Sequence, residues 1–212
     1  MKKIFNDYLN NSLKLERWQK IGIACLIIVL TGLFGWIYEF IFYYFNGGMK
    51  LFYWRGGNFL PWINIYATGS VMILILTHRV KKNPLLVFFI AFISTGILEY
   101  LTGLVIFKLF DGARFWDYNT EILNFGNIGG FVCLRSVSFF GLSALLLVYL
   151  MMPFCIYLSK VVNKKIFLIL SISLCVIFLS DELYNLIIAR IFHLPRASYI
   201  YQKHGIPFMH FY

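Results

Sequence analysis

Five long, uninterrupted apolar runs dominate the chain: Ile21 to Phe45, Phe59 to Thr77, Pro84 to Phe107, Phe131 to Met152 and Ile166 to Ile188. Roughly 20 apolar residues at ~1.5 Å per residue cross a hydrocarbon core of ~30 Å. In lipid every backbone N–H and C=O must find a partner inside the protein, which leaves helices and closed barrels. Barrel strands alternate apolar and polar residues, and these runs do not, so a barrel is excluded. Composition agrees. The chain is 60% apolar and 13% charged, against ~45–50% and ~25% in soluble domains, which excludes a disordered chain and weighs against a water-soluble domain. The expected fold is an all-α integral membrane protein, a bundle of about five transmembrane helices over residues 21–188. A cytoplasmic amphipathic segment (1–20) precedes it and an extracytoplasmic tail (189–212) follows it. The first run is too long for a signal-peptide core and no small-residue cleavage site follows, so it is expected to remain as the first span.

Basic residues set the orientation. One side holds Lys2, Lys3, Lys14, Arg17 and Lys20, then Arg79, Lys81 and Lys82, then Lys160, Lys164 and Lys165. The other holds Lys50, Arg55, Lys108 and Arg114, and Arg190, Arg196 and Lys203 in the tail. Eleven positives against seven place the N-terminus inside and the C-terminus outside a multi-pass protein of the cell membrane. The net charge of +10 is thus a membrane signature rather than a nucleic-acid footprint, and no nucleic-acid partner is expected. Within the first segment, Ile4, Phe5, Tyr8, Leu9 and Leu13 recur at helical spacing, which suits a short helix on the inner surface. Membrane lipids are the expected surroundings.

The spans suggest a duplication. Glu39-Phe40 in the first and Glu99-Tyr100 in the third are each followed by an aromatic outer loop ending in Gly-Gly. Each loop leads to a span with Phe at its start and Gly ten residues on, Phe59 and Gly69 or Phe131 and Gly141. Units of two spans would give parallel repeats.

Ionisable groups inside spans carry the most information, because a charge at the bilayer centre costs ~2.5–3.5 kcal/mol on insertion scales. Glu39, Glu99, Asp181 and Glu182 lie 15 to 18 residues into the odd-numbered spans, or ~22–27 Å from the inner edge. Asn64 and Arg135 come four or five residues into the even-numbered spans, ~6–8 Å below the outer edge. With the hydroxyls of Tyr38, Tyr66, Tyr100, Ser136 and Tyr184, they make one expected polar layer in the outer half. Three uses remain open: helix locking, with Arg135 paired to Glu39 or Glu99; an outward-facing cavity for a cationic or zwitterionic solute or lipid headgroup; and a subunit-docking surface. The loop from Arg114 through Trp116, Asp117 and Tyr118 is expected to be an ordered lid over that layer, with Asp117 paired to a basic group or capping the segment after it.

Other chemistry is excluded by pattern. There is no G-x-x-x-x-G-K-[ST] loop, no H-E-x-x-H and no G-x-S-x-G, so no enzyme activity and no cofactor are expected. Cys25, Cys133, Cys155 and Cys175 form no C-x-x-C pair and read as small buried apolar residues. His193, His204 and His210 in the tail match no metal-ligand spacing.

Several segments together carry a resemblance. They are Gly35-Trp36-Ile37-Tyr38-Glu39, Pro61-Trp62-Ile63-Asn64-Ile65-Tyr66, Leu98-Glu99-Tyr100, Gly112-Ala113-Arg114-Phe115-Trp116-Asp117-Tyr118, and Cys133-Leu134-Arg135-Ser136 with Gly141. Over roughly Gly32 to Tyr149 the chain resembles the small bacterial membrane proteins described as ABC-transporter type IV, or CmpB-like. Trp116-Asp117-Tyr118 and Cys133-Leu134-Arg135-Ser136 are the most specific part. Ala67 stands where that family tends to have glycine, and Asn64 where it tends to have a second proline. The resemblance implies a permease-like component working with a separate ATPase subunit or other membrane subunits. It also implies weight on Glu39, Glu99, Trp116, Asp117 and Arg135. A non-transport membrane enzyme or lipid sensor is the alternative reading.

Overall fold

The structure is a computed structural model and describes residues 2–46, 54–109 and 111–206. It is all-helical among these residues, apart from an isolated bridge between Ile128 and Val132. The helices are α1 (Lys2–Leu9), α2 (Arg17–Asn46), α3 (Asn64–Thr77), α4 (Pro84–Leu109), α5 (Leu134–Val161), α6 (Lys164–Ile191) and α7 (Ala197–Lys203). Among the described residues four of them, α2, α4, α5 and α6, are long and apolar enough to cross a membrane.

The second expected span is a shorter helix than the apolar run promised. Phe59 to Ile63 are not helical, and α3 has 14 residues, about 21 Å of rise. The cause is tertiary. The N–H groups of Phe59 and Leu60 donate to the carboxylate of Asp181 instead of to a helix, and Pro61 has no N–H to continue one. The fourth run departs the other way. Its helix begins at Leu134 rather than Phe131 and continues through Pro153 to Val161, leaving only Val162 and Asn163 before α6. Pro153 withdraws one donor and its ring crowds the carbonyl four residues back. A π-helical turn over Leu147–Met151 widens the helix just before it and lets the axis run on.

The helix starts have local causes. Asn83 accepts from Leu85 N–H and Leu86 N–H at 3.1 and 3.3 Å, and Pro84 follows it. That is an N-cap with proline at the first helical position, where no N–H is needed. Asn163 caps α6 by accepting from Lys165 N–H. At α5 the Ser136 hydroxyl accepts from Cys133 N–H, the return half of a capping box.

The chain divides into two compact units, Met1–Val71 with Tyr149–Met209, and Met72–Val148. In the first, α2 packs on α6 and on the start of α3 around Val29, Trp62, Ala67, Cys175 and Phe178. Gly35 permits this approach, since a Cβ there would stand 2.2 Å from the Tyr66 ring. Thr31 and Ser70 hydroxyls meet at 3.0 Å lower in the same seam. The amphipathic α1 lies against the last part of α5, with Tyr8 buried and Phe5 against Tyr149. In the second unit α4 packs on the first part of α5, and Gly141 leaves room for the Phe88 ring. Small residues at such contacts let helices approach closely where water exclusion gives no drive.

Candidate functional site

The acids expected in the spans belong to two networks, one in each unit. In the first unit, Glu39 on α2 meets Arg55. The guanidinium Nε and Nη2 both donate to Glu39 Oε2, at 3.1 and 2.9 Å. The Tyr66 hydroxyl donates to the other oxygen at 3.3 Å. Arg55 is buried and also lies over the Tyr43 ring at 3.7 Å. Gly56 and Gly57, both at positive φ, turn the chain so that Arg55 points inward. Asn64, by contrast, pairs only locally, accepting from the Thr68 hydroxyl.

Asp181 and Glu182 on α6 hold the segment before α3. Asp181 accepts from Phe59 N–H, Leu60 N–H, Trp62 Nε1 and Asn185 Nδ2, at 2.8 to 3.0 Å. A carboxylate offers about four lone-pair sites, so this one is filled. Glu182 accepts from Asn58 Nδ2 at 2.7 Å, and Asn58 also reaches the Trp62 carbonyl. A second π-helical turn, Tyr184–Ile188, contains Asn185, whose side-chain oxygen receives the N–H of Ala197 at the start of α7. The Tyr201 hydroxyl then donates to the Phe59 carbonyl, and its ring lies against Trp54. Burial first, and the Asp181 charge second, hold the Tyr201 phenol above its ordinary 10. The tail expected to hang outside is therefore fastened back through Ile206. His210 and the loop residues Lys50, Phe52 and Tyr53 lie outside the described residues.

In the second unit, Glu99 on α4 is 4% exposed. Its partners are the Tyr118 hydroxyl at one oxygen and the Ser136 hydroxyl, 2.8 Å away, at the other. The ion pair of Arg135 is with Glu121 rather than with Glu99. Its Nη2 lies 2.5 Å from Glu121, whose side chain is 1% exposed. The correction has a physical reason: Glu121, counted as a loop residue, folds inward and reaches Arg135 before either span acid does. The 111–133 loop is built from its own polar groups. Asp117 accepts from Asn119 N–H and Nδ2, and more distantly from Arg114 at 3.5 Å. Arg114 also donates to the Gly129 carbonyl, and Trp116 Nε1 to that of Phe131.

Sequence reasoning found the acids, Tyr66, Ser136 and the Arg114–Tyr118 loop. It missed Arg55, Asn58, Trp62, Glu121 and Asn185, which supply most of the partners. Gly56-Gly57 after Arg55 was the available signal for the first. The four cysteines are free thiols, and Cys25 on α2 packs against the cluster that contains Cys175 on α6. Among the described residues, no three His, Cys, Asp or Glu gather where a metal could be held.

The family model described as Putative ABC-transporter type IV matches residues 26–186, which include every span acid and both Arg55 and Arg135. No curated protein and no solved structure matches the chain.

Proposed function

The chain belongs to the ABC-transporter type IV family, and from that premise we propose a permease-like subunit of the plasma membrane that works with a separate ATPase to move a solute or lipid. Apolar helices and family together make it a membrane transport-type protein. The observation that carries the finer reading is the Glu39–Arg55 pair in the first unit. Glu39 keeps 19% of its side chain exposed although it sits in an apolar helix, and its partner is delivered by the Gly56-Gly57 turn. A carboxylate and a guanidinium side by side, with the Tyr66 hydroxyl of α3 on the carboxylate, suit an ammonium on one side and an anion on the other. The ligand class is a cationic or zwitterionic solute or headgroup. Asp181 is a positioning residue, because its acceptors are full.

Five passes with the N-terminus inside fit the same reading. The non-helical Phe59–Ile63 stretch extends the reach of the short α3, and the basic turn His78–Asn83 joins α3 to α4. The parallel two-helix repeat is supported by chemistry: Glu39 meets Tyr66 and Glu99 meets Ser136, each acid taking a hydroxyl from the helix that follows. The docked α1, with Lys2 and Lys3, is the element placed to couple to an ATPase, since Val162–Asn163 is too short to do so.

Purification of the full chain in mild detergent, followed by mass spectrometry, tests the proposal. A co-purifying ATPase subunit is expected. A retained lipid with no ATPase at any detergent concentration would overturn the permease and favour a lipid sensor or membrane enzyme.

A further inference from the structure

The second unit holds a site that the permease reading does not use. Ser136 Oγ has three polar neighbours: Cys133 N–H at 3.2 Å, the Cys133 carbonyl at 2.8 Å and Glu99 Oε2 at 2.8 Å. A hydroxyl has one proton to give. The N–H can only donate to it and the carbonyl can only accept from it. If Glu99 is ionised, two acceptors compete for that proton, and one of them faces an oxygen lone pair at 2.8 Å in a buried setting. Both contacts become hydrogen bonds when the Glu99 carboxyl carries its own proton. It then donates to Ser136, which donates to Cys133, while Tyr118 donates to the other carboxyl oxygen.

Charge counting gives the same answer independently. The titratable and charged groups around Glu99 are Tyr118 and Glu121 from the loop, and Cys133 and Arg135 at the start of α5. Glu99, Glu121 and Arg135 are two carboxyls and one guanidinium, all largely buried. Arg135 is engaged by Glu121 at 2.5 Å and lies over the Tyr118 ring at 5.2 Å. The group is electrically neutral only with one proton added, and a surplus charge in a low-dielectric interior is costly. The ion pair of Arg135 is with Glu121, so the added proton falls to Glu99.

We propose that Glu99 is a proton-binding carboxyl, positioned by Tyr118 and Ser136, beside an Arg135 whose ion pair is with Glu121. Its ligand is the proton itself, exchanged as O–H at one carboxyl oxygen with no other bond made or broken. This holds whether or not the chain transports anything.

Infrared difference spectroscopy of the full chain in lipid nanodiscs tests it. Subtracting the Glu99→Gln spectrum from wild type at neutral pH is expected to leave a carboxylic-acid C=O band. Glu121→Gln, which frees Arg135, is expected to replace that band by carboxylate bands at Glu99. Ser136→Ala is expected to shift the band, because the acid loses its acceptor. If Glu99→Gln does not fold, Tyr118→Phe must move the same band by removing the donor to the other oxygen. A wild-type difference made of carboxylate bands alone, or an acid band that Ser136→Ala and Tyr118→Phe both leave in place, overturns the proposal.

Discussion

Removing the Asp181 carboxylate should damage the first unit more than any other single change to a span acid. Asp181→Ala strands the N–H groups of Phe59 and Leu60 and the indole N–H of Trp62, while the amide of Asn185 keeps the Asp181 backbone carbonyl as acceptor. A hydrogen bond to a charged group contributes about 1.5–3 kcal/mol, so three simple losses would sum to roughly 4.5–9 kcal/mol. The real cost is smaller, because the Phe59–Ile63 segment can shift and water can enter, and single substitutions rarely exceed ~4–5 kcal/mol. A loss of about 3–5 kcal/mol, at roughly 2–4 °C per kcal/mol for a chain of this size, lowers Tm by about 6–20 °C. Glu182→Gln is the matched control. Its new carbonyl oxygen still accepts from Asn58, so the shift should stay within about 4 °C. The assay is size-exclusion recovery of the detergent-solubilised full chain after heating. Asp181→Ala within ~2 °C of wild type, or Glu182→Gln equally damaging, would show that the carboxylate does not hold the loop.

Other expectations follow from single contacts. Gly35→Ala places a methyl 2.2 Å from the Tyr66 ring and should destabilise by about 1–3 kcal/mol as overpacking does, read as a lower Tm in the same assay. Lys81 is buried in the turn after α3, and burial holds its ammonium below the usual 10.5. The unfolded chain therefore binds more protons there, so stability rises with pH through the window that ends at 10.5. Lys81→Met should flatten that rise, and an unchanged Tm–pH slope would refute it. A mild thiol oxidant acting on the full chain should join Cys25 to Cys175 within one molecule, seen as a cross-linked peptide pair that Cys175→Ala abolishes. A reporter active only outside the cytoplasm, fused after Tyr212, should be active if five passes and the orientation hold.

The helices were legible wherever apolar residues ran unbroken, because lipid leaves the backbone few other choices. What sequence could not show was where those runs stop being helical. Phe59-Leu60-Pro61-Trp62-Ile63 is as apolar as any span, and besides Pro61 it is a carboxylate 121 and 122 residues away that diverts its N–H groups. The continuation through Pro153 depends on a π turn that has no composition signal. The span acids stood out by their expense in lipid, yet their partners did not. Arg55 and Glu121 lie in loop segments, where a charge is ordinarily solvated, and only the folding of each loop inward makes them partners. Arg135 therefore looked stranded in its span, and the span acids seemed its only choices.

The assignment of arginines to acids is what the site description rests on, and double-substitution cycles in Tm-derived stability test it most directly. Arg55→Ala with Glu39→Gln, and Arg135→Ala with Glu121→Gln, should each lose less than the sum of the single changes, with coupling of about 1–3 kcal/mol. Arg135→Ala should couple more strongly to Glu121→Gln than to Glu99→Gln. Coupling of Arg135 to Glu39 or Glu99, with none to Glu121, would contradict it.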